Sequence, residues 1–589
     1  MKKKLLMGII SGGGVVFLLL AFSFWWYVSR APLVETNYVM KLNDLVRPTD
    51  AEGENAWPYF KQALQLYTEP NESIYRIIQS GPYNIDNDNN STYLAPAEQN
   101  KLRQWMEQNL SAWDLLDPEI KEQVRQAIEE KQIPQNLLTS LFKNNEVYYR
   151  TIRTRRGVRY ATRPYAELNQ VRKQFYQMIC NNTLPEEANR ALVVEVLRDW
   201  MEENQTKTRQ INKWIRQNQP AWQAFATGSK KDYLFREYII DEQSDLLSSC
   251  YIPDLKDMLI MREFSRWMIH ANLQAARREQ ALQDSLALIR FGHLWQKGTS
   301  TFSDQLRGIS IIKSGYEHML GCIALRMGNE KDLRHIQAEI GKLTESEYPI
   351  INFEGHRLQF LDVVQHTFTK GGVGGGRIIA EYFNRWITEG ASDIGLWESL
   401  GRWFEGTGRQ EEMITLTDSL RHAKRDDTVA QAHRLYNRIN ELAQMSPFVR
   451  HDRQTSIMDD FETLDKEAYH LIHMIKRNFI DFERLVDQNF QAQALHETVT
   501  AVLALRRWKL THGRYPDKLH ELSAAGYLKK LPDDPYGPGI LQYEKEGDDF
   551  ILYSWAADFD DDGGVENPND PWGERSADSD RVFWPSKNK

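Results

Sequence analysis

The stretch Met258-Leu-Ile-Met-Arg-Glu-Phe-Ser-Arg-Trp-Met-Ile-His-Ala-Asn-Leu273 decides how most of the chain is read. Met258, Met261, Phe264, Met268 and Leu273 recur at the spacing of one helix face, with charged residues between them. After a short polar break Leu282, Leu286, Ile289 and Phe291 continue the pattern, and Leu306–Leu325 and Asp332–Leu343 repeat it around a turn at Gly328-Asn329. From Val39 to Phe490 helical periodicity dominates. The expected architecture is a mainly α region of antiparallel helix pairs stacked like a helical-repeat protein, over residues 54–490.

Bulk properties narrow the function classes. At 589 residues the chain exceeds one hydrophobic core, and 41% apolar residues with 17 Trp exclude a disordered protein. A net charge of −9 argues against nucleic-acid binding, which wants a basic stripe. Cys180, Cys250 and Cys322 form no close pair and suggest neither a zinc ribbon nor a disulfide framework.

The N-terminus reads as a membrane anchor. Lys2-Lys-Lys4 forms a short cytoplasmic tail (1–4), and Leu5–Val28 carries no charge. As a helix that segment is roughly 36 Å long, enough for a hydrocarbon core of about 30 Å. Trp25-Trp26-Tyr27 suits the far interface, and with Arg30 it occupies the place of a signal-peptidase site, so the expectation is an uncleaved single-pass anchor. The basic tail places the bulk outside the cytoplasm of a bacterial inner membrane. Residues 29–53 are expected to be a linker.

Within the helical region chemistry is sparse. Lys370-Gly-Gly-Val-Gly-Gly-Gly376 is read as a hinge, since no Gly-Lys-Ser/Thr completes a phosphate loop. Glu467, His470 and His473, at i, i+3 and i+6, offer the one metal-like pattern on a helix and would be the place for a metal-dependent hydrolase. Lacking a second Glu-x-x-His, they are read as an ordinary histidine pair.

The pattern changes over 491–589. Leu495, Val499, Val502 and Leu503 mark a helix running to Thr511 with Gly513 as its stop, and Leu519 and Leu522 suggest one further turn. Ile540–Glu544 and Phe550–Trp555 read as strands joined at Gly547-Asp548-Asp549, giving a small α+β domain. The second strand runs into Asp558-Phe-Asp-Asp-Asp562-Gly563. Carboxylates there stand at positions 1, 3 and 5 of a calcium loop with glycine at 6, although Asn569 replaces the bidentate Glu of an EF-hand at 12. Gathering Asp558, Asp560, Asp562, Glu566, Asp578 and Asp580 calls for a counter-ion, and hard oxygen donors favour calcium.

Ala504-Leu-Arg-Arg-Trp-Lys-Leu-Thr-His-Gly-Arg-Tyr-Pro516, Gly526-Tyr-Leu-Lys-Lys-Leu-Pro-Asp-Asp-Pro535 and Leu552-Tyr-Ser554 together resemble the globular domain of type II secretion major pseudopilins. The resemblance implies a calcium ion in the loop after the last strand. It carries ligand roles onto Asp558, Asp580, Asp578 and the backbone carbonyl of Tyr553. The loop here is longer than the family's, a departure that bears on the outer ligands. The chain also lacks the Gly-Phe-Thr-Leu-x-Glu processing motif and carries its expected anchor at 5–28, far from this domain, so polymerisation into a pseudopilus is not expected. More loosely, Glu54-Asn-Ala-Trp-Pro58 and Phe368-Thr-Lys-Gly-Gly372 in this order resemble membrane-anchored envelope proteins of planctomycete-type bacteria, which bring no assigned reaction. The expected function is a binding or scaffold protein of the cell envelope with a protein or peptide partner, more in keeping with the sequence than an enzyme. The rivals are a pseudopilus accessory and a metal-dependent hydrolase.

Overall fold

The computed structural model describes residues 14–23, 32, 34–48, 52–80, 96–109, 118–130, 132–134, 165–184, 190–240, 247, 250–325, 329–344, 348–369, 376–380, 382–384, 416–473, 482–567, 570–574 and 579–585. They are mainly helical, with short strands. The chain divides into two compact units. One comprises Met1–Lys61, Phe225–Met258 and Leu282–Lys589, the other Gln62–Ala224 and Leu259–Ala281.

The smaller unit is built from amphipathic helices, among them Pro96–Asn109, Leu168–Cys180 and Arg190–Gln217. Leu102, Phe175, Leu192, Val196 and Trp200 form its core. The helix Leu259–Gln274 buries Met261, Phe264 and Met268 as the spacing predicts, and Trp267 besides. Phe264 meets Trp214 edge-on at 5.0 Å, and the indole N–H of Trp267 donates to the carbonyl of Ile78 at 3.1 Å. That hydrogen bond lets a polar aromatic sit in the interior without an orphaned donor.

In the larger unit the long helix Phe482–His512 is the organising element. Leu495, Val499, Val502 and Leu503 are fully buried as expected, and so are Ala494, Ala501, Ala504 and Leu505 on its other sides. A helix apolar all round belongs in an interior. Here Phe302–Ala324 and Glu330–Leu343 pack along it. Gly315 permits a close approach within the same unit: a Cβ there would lie 2.6 Å from Cγ1 of Ile289. The boundary expected at 491 falls inside this continuous helix, because the apolar surface that begins at Phe482 has no break there.

Beyond it, Gly513 adopts φ +74° and ends the helix, its N–H donating to Lys509 O at 2.9 Å. The short helix His520–Ala524 follows, then a three-stranded antiparallel sheet. Gln542–Glu546 and Asp549–Ser554 form the expected hairpin, with Gly547 at φ +56° in its turn. The third strand, Arg581–Trp584, pairs with Asp549–Ser554 and was not foreseen.

The segment expected to be a linker over 29–53 contains the helix Tyr38–Val46, capped by Asn37. Asn43 exchanges two hydrogen bonds with the backbone of Tyr238, at 3.0 and 2.6 Å, which fixes that helix to the body of the unit. Among the described residues no helix is long and apolar enough to cross a membrane. Of the span expected over 5–28, only 14–23 are described; they are helical, and the large side chains from Val15 to Phe22 are 56–71% exposed. The glycine hinge lies outside the described residues except for Gly376.

Candidate metal centre

The strand Asp549–Ser554 leads into the 3-10 turn Ala556–Asp558, and Phe559 then takes the left-handed conformation at φ 64°. This reversal folds the acidic segment back towards the third strand. One carboxylate oxygen each from Asp558, Asp560 and Asp562 lies within 4.8 Å of the others. At that separation each pair of ionised carboxylates repels by about 3–4 kcal/mol at an effective dielectric near 20.

Backbone hydrogen bonds hold the loop closed. Ser579 N–H donates to Asp558 Oδ2 at 2.7 Å, and Gly564 N–H donates to Asp580 Oδ2 at 2.7 Å. Asp580 N–H donates in turn to Val565 O at 2.7 Å. In each of these two aspartates one oxygen is thereby committed to backbone. The other, Oδ1 of Asp558 and of Asp580, is buried and has no hydrogen-bond partner among the described residues. Asp580 is fully buried. Its burial, with the charges of Asp561, Asp562 and Asp558 nearby, raises its pKa to about 7. A group so placed is only partly ionised at neutral pH, and a positive charge beside it would favour the carboxylate. The nearby Arg581 guanidinium is paired with Glu566 at 2.8 Å.

These donors fit a hard divalent cation. Asp558, Asp560, Asp562 and Asp580 are all oxygen donors, and the two orphaned oxygens are those that backbone bonding leaves over for a metal. Asp561 plays a different part: it accepts the Tyr553 hydroxyl at 2.9 Å and the Gly563 N–H at 3.1 Å. Asp578, Asn569 and Arg575 lie outside the described residues.

Sequence reasoning missed Asp534. Its carboxylate is buried and accepts Ser554 Oγ at 2.6 Å, Tyr536 N–H at 3.0 Å and Trp555 N–H at 3.2 Å. It thus ties the proline-rich segment to the point where the strand becomes the acidic loop. Burial raises its pKa. The signal was Asp533-Asp534 between Pro532 and Pro535, legible as a turn but not as a buried acceptor.

The helical candidates do not converge. Glu467 sits in a turn rather than on a helix and pairs with Arg421 at 3.3 Å. His473 Nε2 lies 3.1 Å from Leu464 O, and His470 packs against the ring of Phe383. A histidine network that the sequence did not reveal joins the helices instead. Tyr316 Oη lies 2.8 Å from His496 Nδ1 and 3.4 Å from His293 Nε2, and Thr344 Oγ1 lies 3.2 Å from His496 Nε2. Burial lowers the pKa of His293 to about 3 and of His496 to about 4, which keeps both neutral at physiological pH.

No family model, curated protein or solved structure matches the chain.

Proposed function

We propose that the chain is a binding or scaffold protein of the bacterial cell envelope, anchored in the inner membrane through residues 5–28, with its bulk extracytoplasmic and its C-terminal pseudopilin-like sheet closed by a structural calcium ion. The observation that carries the calcium reading is the pair of buried, unpartnered oxygens of Asp558 and Asp580, with Asp558 clustered with Asp560 and Asp562 and with Asp580 in electrostatic reach of Asp558 and Asp562. Buried carboxylate oxygens without a partner are costly, and a divalent cation removes that cost while offsetting the mutual repulsion. The role is structural, tying the loop and the third strand to the rest of the sheet. The anchor reading draws on the uncharged stretch after Lys2-Lys-Lys4 and on the exposed apolar side chains of the helical residues 14–23. Helices stacked in pairs suit a protein or peptide partner.

Calorimetry of the full chain in detergent tests the calcium reading. Calcium should bind with measurable heat and raise the melting temperature, and a chelator should reverse both. No binding heat and a chelator-insensitive melt would sink it. Carbonate extraction of membranes tests the anchor separately, with the chain expected in the pellet.

A further inference from the structure

The point at which the chain leaves its expected span is fastened to the folded body almost at once. Pro32 forms an antiparallel bridge with Thr369. Four residues on, Thr36 exchanges two hydrogen bonds with the side chain of Gln365: its N–H donates to Oε1 at 3.1 Å, and its carbonyl accepts Nε2 at 2.9 Å. Gln365 is buried and braced by Asp362 Oδ1 at 2.8 Å. Thr369 is locked in turn to Arg377, whose guanidinium donates to the carbonyl of His422 at 2.9 Å.

From Val28 to Pro32 there are four residue steps, which cover at most about 14 Å when fully extended. The headgroup layer of one leaflet takes up about 5–7 Å of that. Pro32 therefore stands no more than about 9 Å beyond the headgroups, less than the diameter of one helix. We infer that the larger unit has no stalk and rests on the phospholipid headgroup layer through the corner around Pro32 and Thr369. This rests on the anchor reading given above.

The surface of that corner suits the occupant. Val34, Met40 and Leu420 are 52%, 58% and 49% exposed, and Lys41, Arg421 and Lys424 are exposed with them. Apolar side chains interspersed with cations suit the boundary between headgroups and acyl chains. Glu35, Asp426 and Asp427 are exposed on the same segments and partly balance those cations. The short tether, rather than net charge, is thus what holds the contact, and it should persist in zwitterionic lipid.

The test uses the full chain reconstituted in phosphatidylcholine vesicles, with a photo-crosslinking amino acid at position 420 or at position 548. The latter lies in the turn beside Lys509, near the far end of the long helix from Phe482. Lipid adducts are expected at 420 and not at 548. A flexible Gly/Ser insert of twenty residues between Arg30 and Pro32, which leaves the folded contacts intact, should lower the yield at 420 several-fold. A chain that resists carbonate extraction yet gives no adduct at 420, or gives equal adducts at both positions, or ignores the insert, overturns the contact and leaves the anchor standing. A chain released by carbonate overturns the anchor reading and this inference with it.

Discussion

The backbone N–H of Ser579 donates to Oδ2 of Asp558 at 2.7 Å, so the end of the acidic loop is clasped by its beginning. The bond spends one oxygen of Asp558 on backbone and leaves the other, Oδ1, buried without a hydrogen-bond partner among the described residues.

Asp580→Asn removes one charge from that cluster without removing its volume. In metal-free buffer the variant is expected to melt at or above the temperature of the unsubstituted chain, because a neutral carboxamide removes Asp580's share of the repulsion. It should also lose most of the rise that calcium gives. Paired melting curves with chelator and with millimolar calcium check both. A variant that keeps the full calcium effect would remove Asp580 from the ligand set.

Asp534 and Asp533 are neighbours with opposite expected weights. Asp534→Ala strands the buried Ser554 Oγ and Tyr536 N–H and the half-buried Trp555 N–H, a loss of about 3 kcal/mol. Asp533 makes an exposed ion pair with Lys530 at 3.2 Å, and Asp533→Ala should cost less than about 1 kcal/mol. Urea midpoints of the two variants decide the matter.

Acid should destabilise the helical body earlier than its carboxylates alone would require. His293 and His356 are lowered by burial to about 3 and His496 to about 4, whereas an unfolded histidine titrates near 6.5. With folded values depressed, their contribution is intact above pH 6.5 and is lost as pH falls towards 4 and then 3. Each adds a slope of up to about 1.4 kcal/mol per pH unit within that window. Urea unfolding at pH 7.5, 6 and 5 should show it, and His496→Gln should flatten it.

Gly315→Leu is expected to destabilise by about 1–3 kcal/mol or more, since even a Cβ would lie 2.6 Å from Ile289 Cγ1 and 3.0 Å from its backbone nitrogen. Gly341→Leu, where nothing lies within 4 Å of the added atom, serves as the control with open space.

The helices were legible because burying one face imposes a spacing that the residues display, as at Met261, Phe264 and Met268. Trp267 escaped the stripe because its burial depends on the Ile78 carbonyl, a contact across 189 positions that no local pattern records. The hairpin could be read from Gly547 and its flanking alternation. The strand Arg581–Trp584 could not: it is four residues long, and it pairs across the whole acidic loop. In the loop the alternation of Asp558, Asp560 and Asp562 did place three carboxylates together. The diversion of Asp561 to Tyr553 and the clasp through Ser579 come from tertiary hydrogen bonds, which spacing does not encode.

The helix Phe482–His512 belongs equally to the bundle and to the sheet region that follows it. Genes cut anywhere along it would yield two fragments, each with a greasy, half-clothed rod at its end. The terminal hundred residues therefore share a structural spine with the helices before them, and bundle and sheet should melt in one cooperative step.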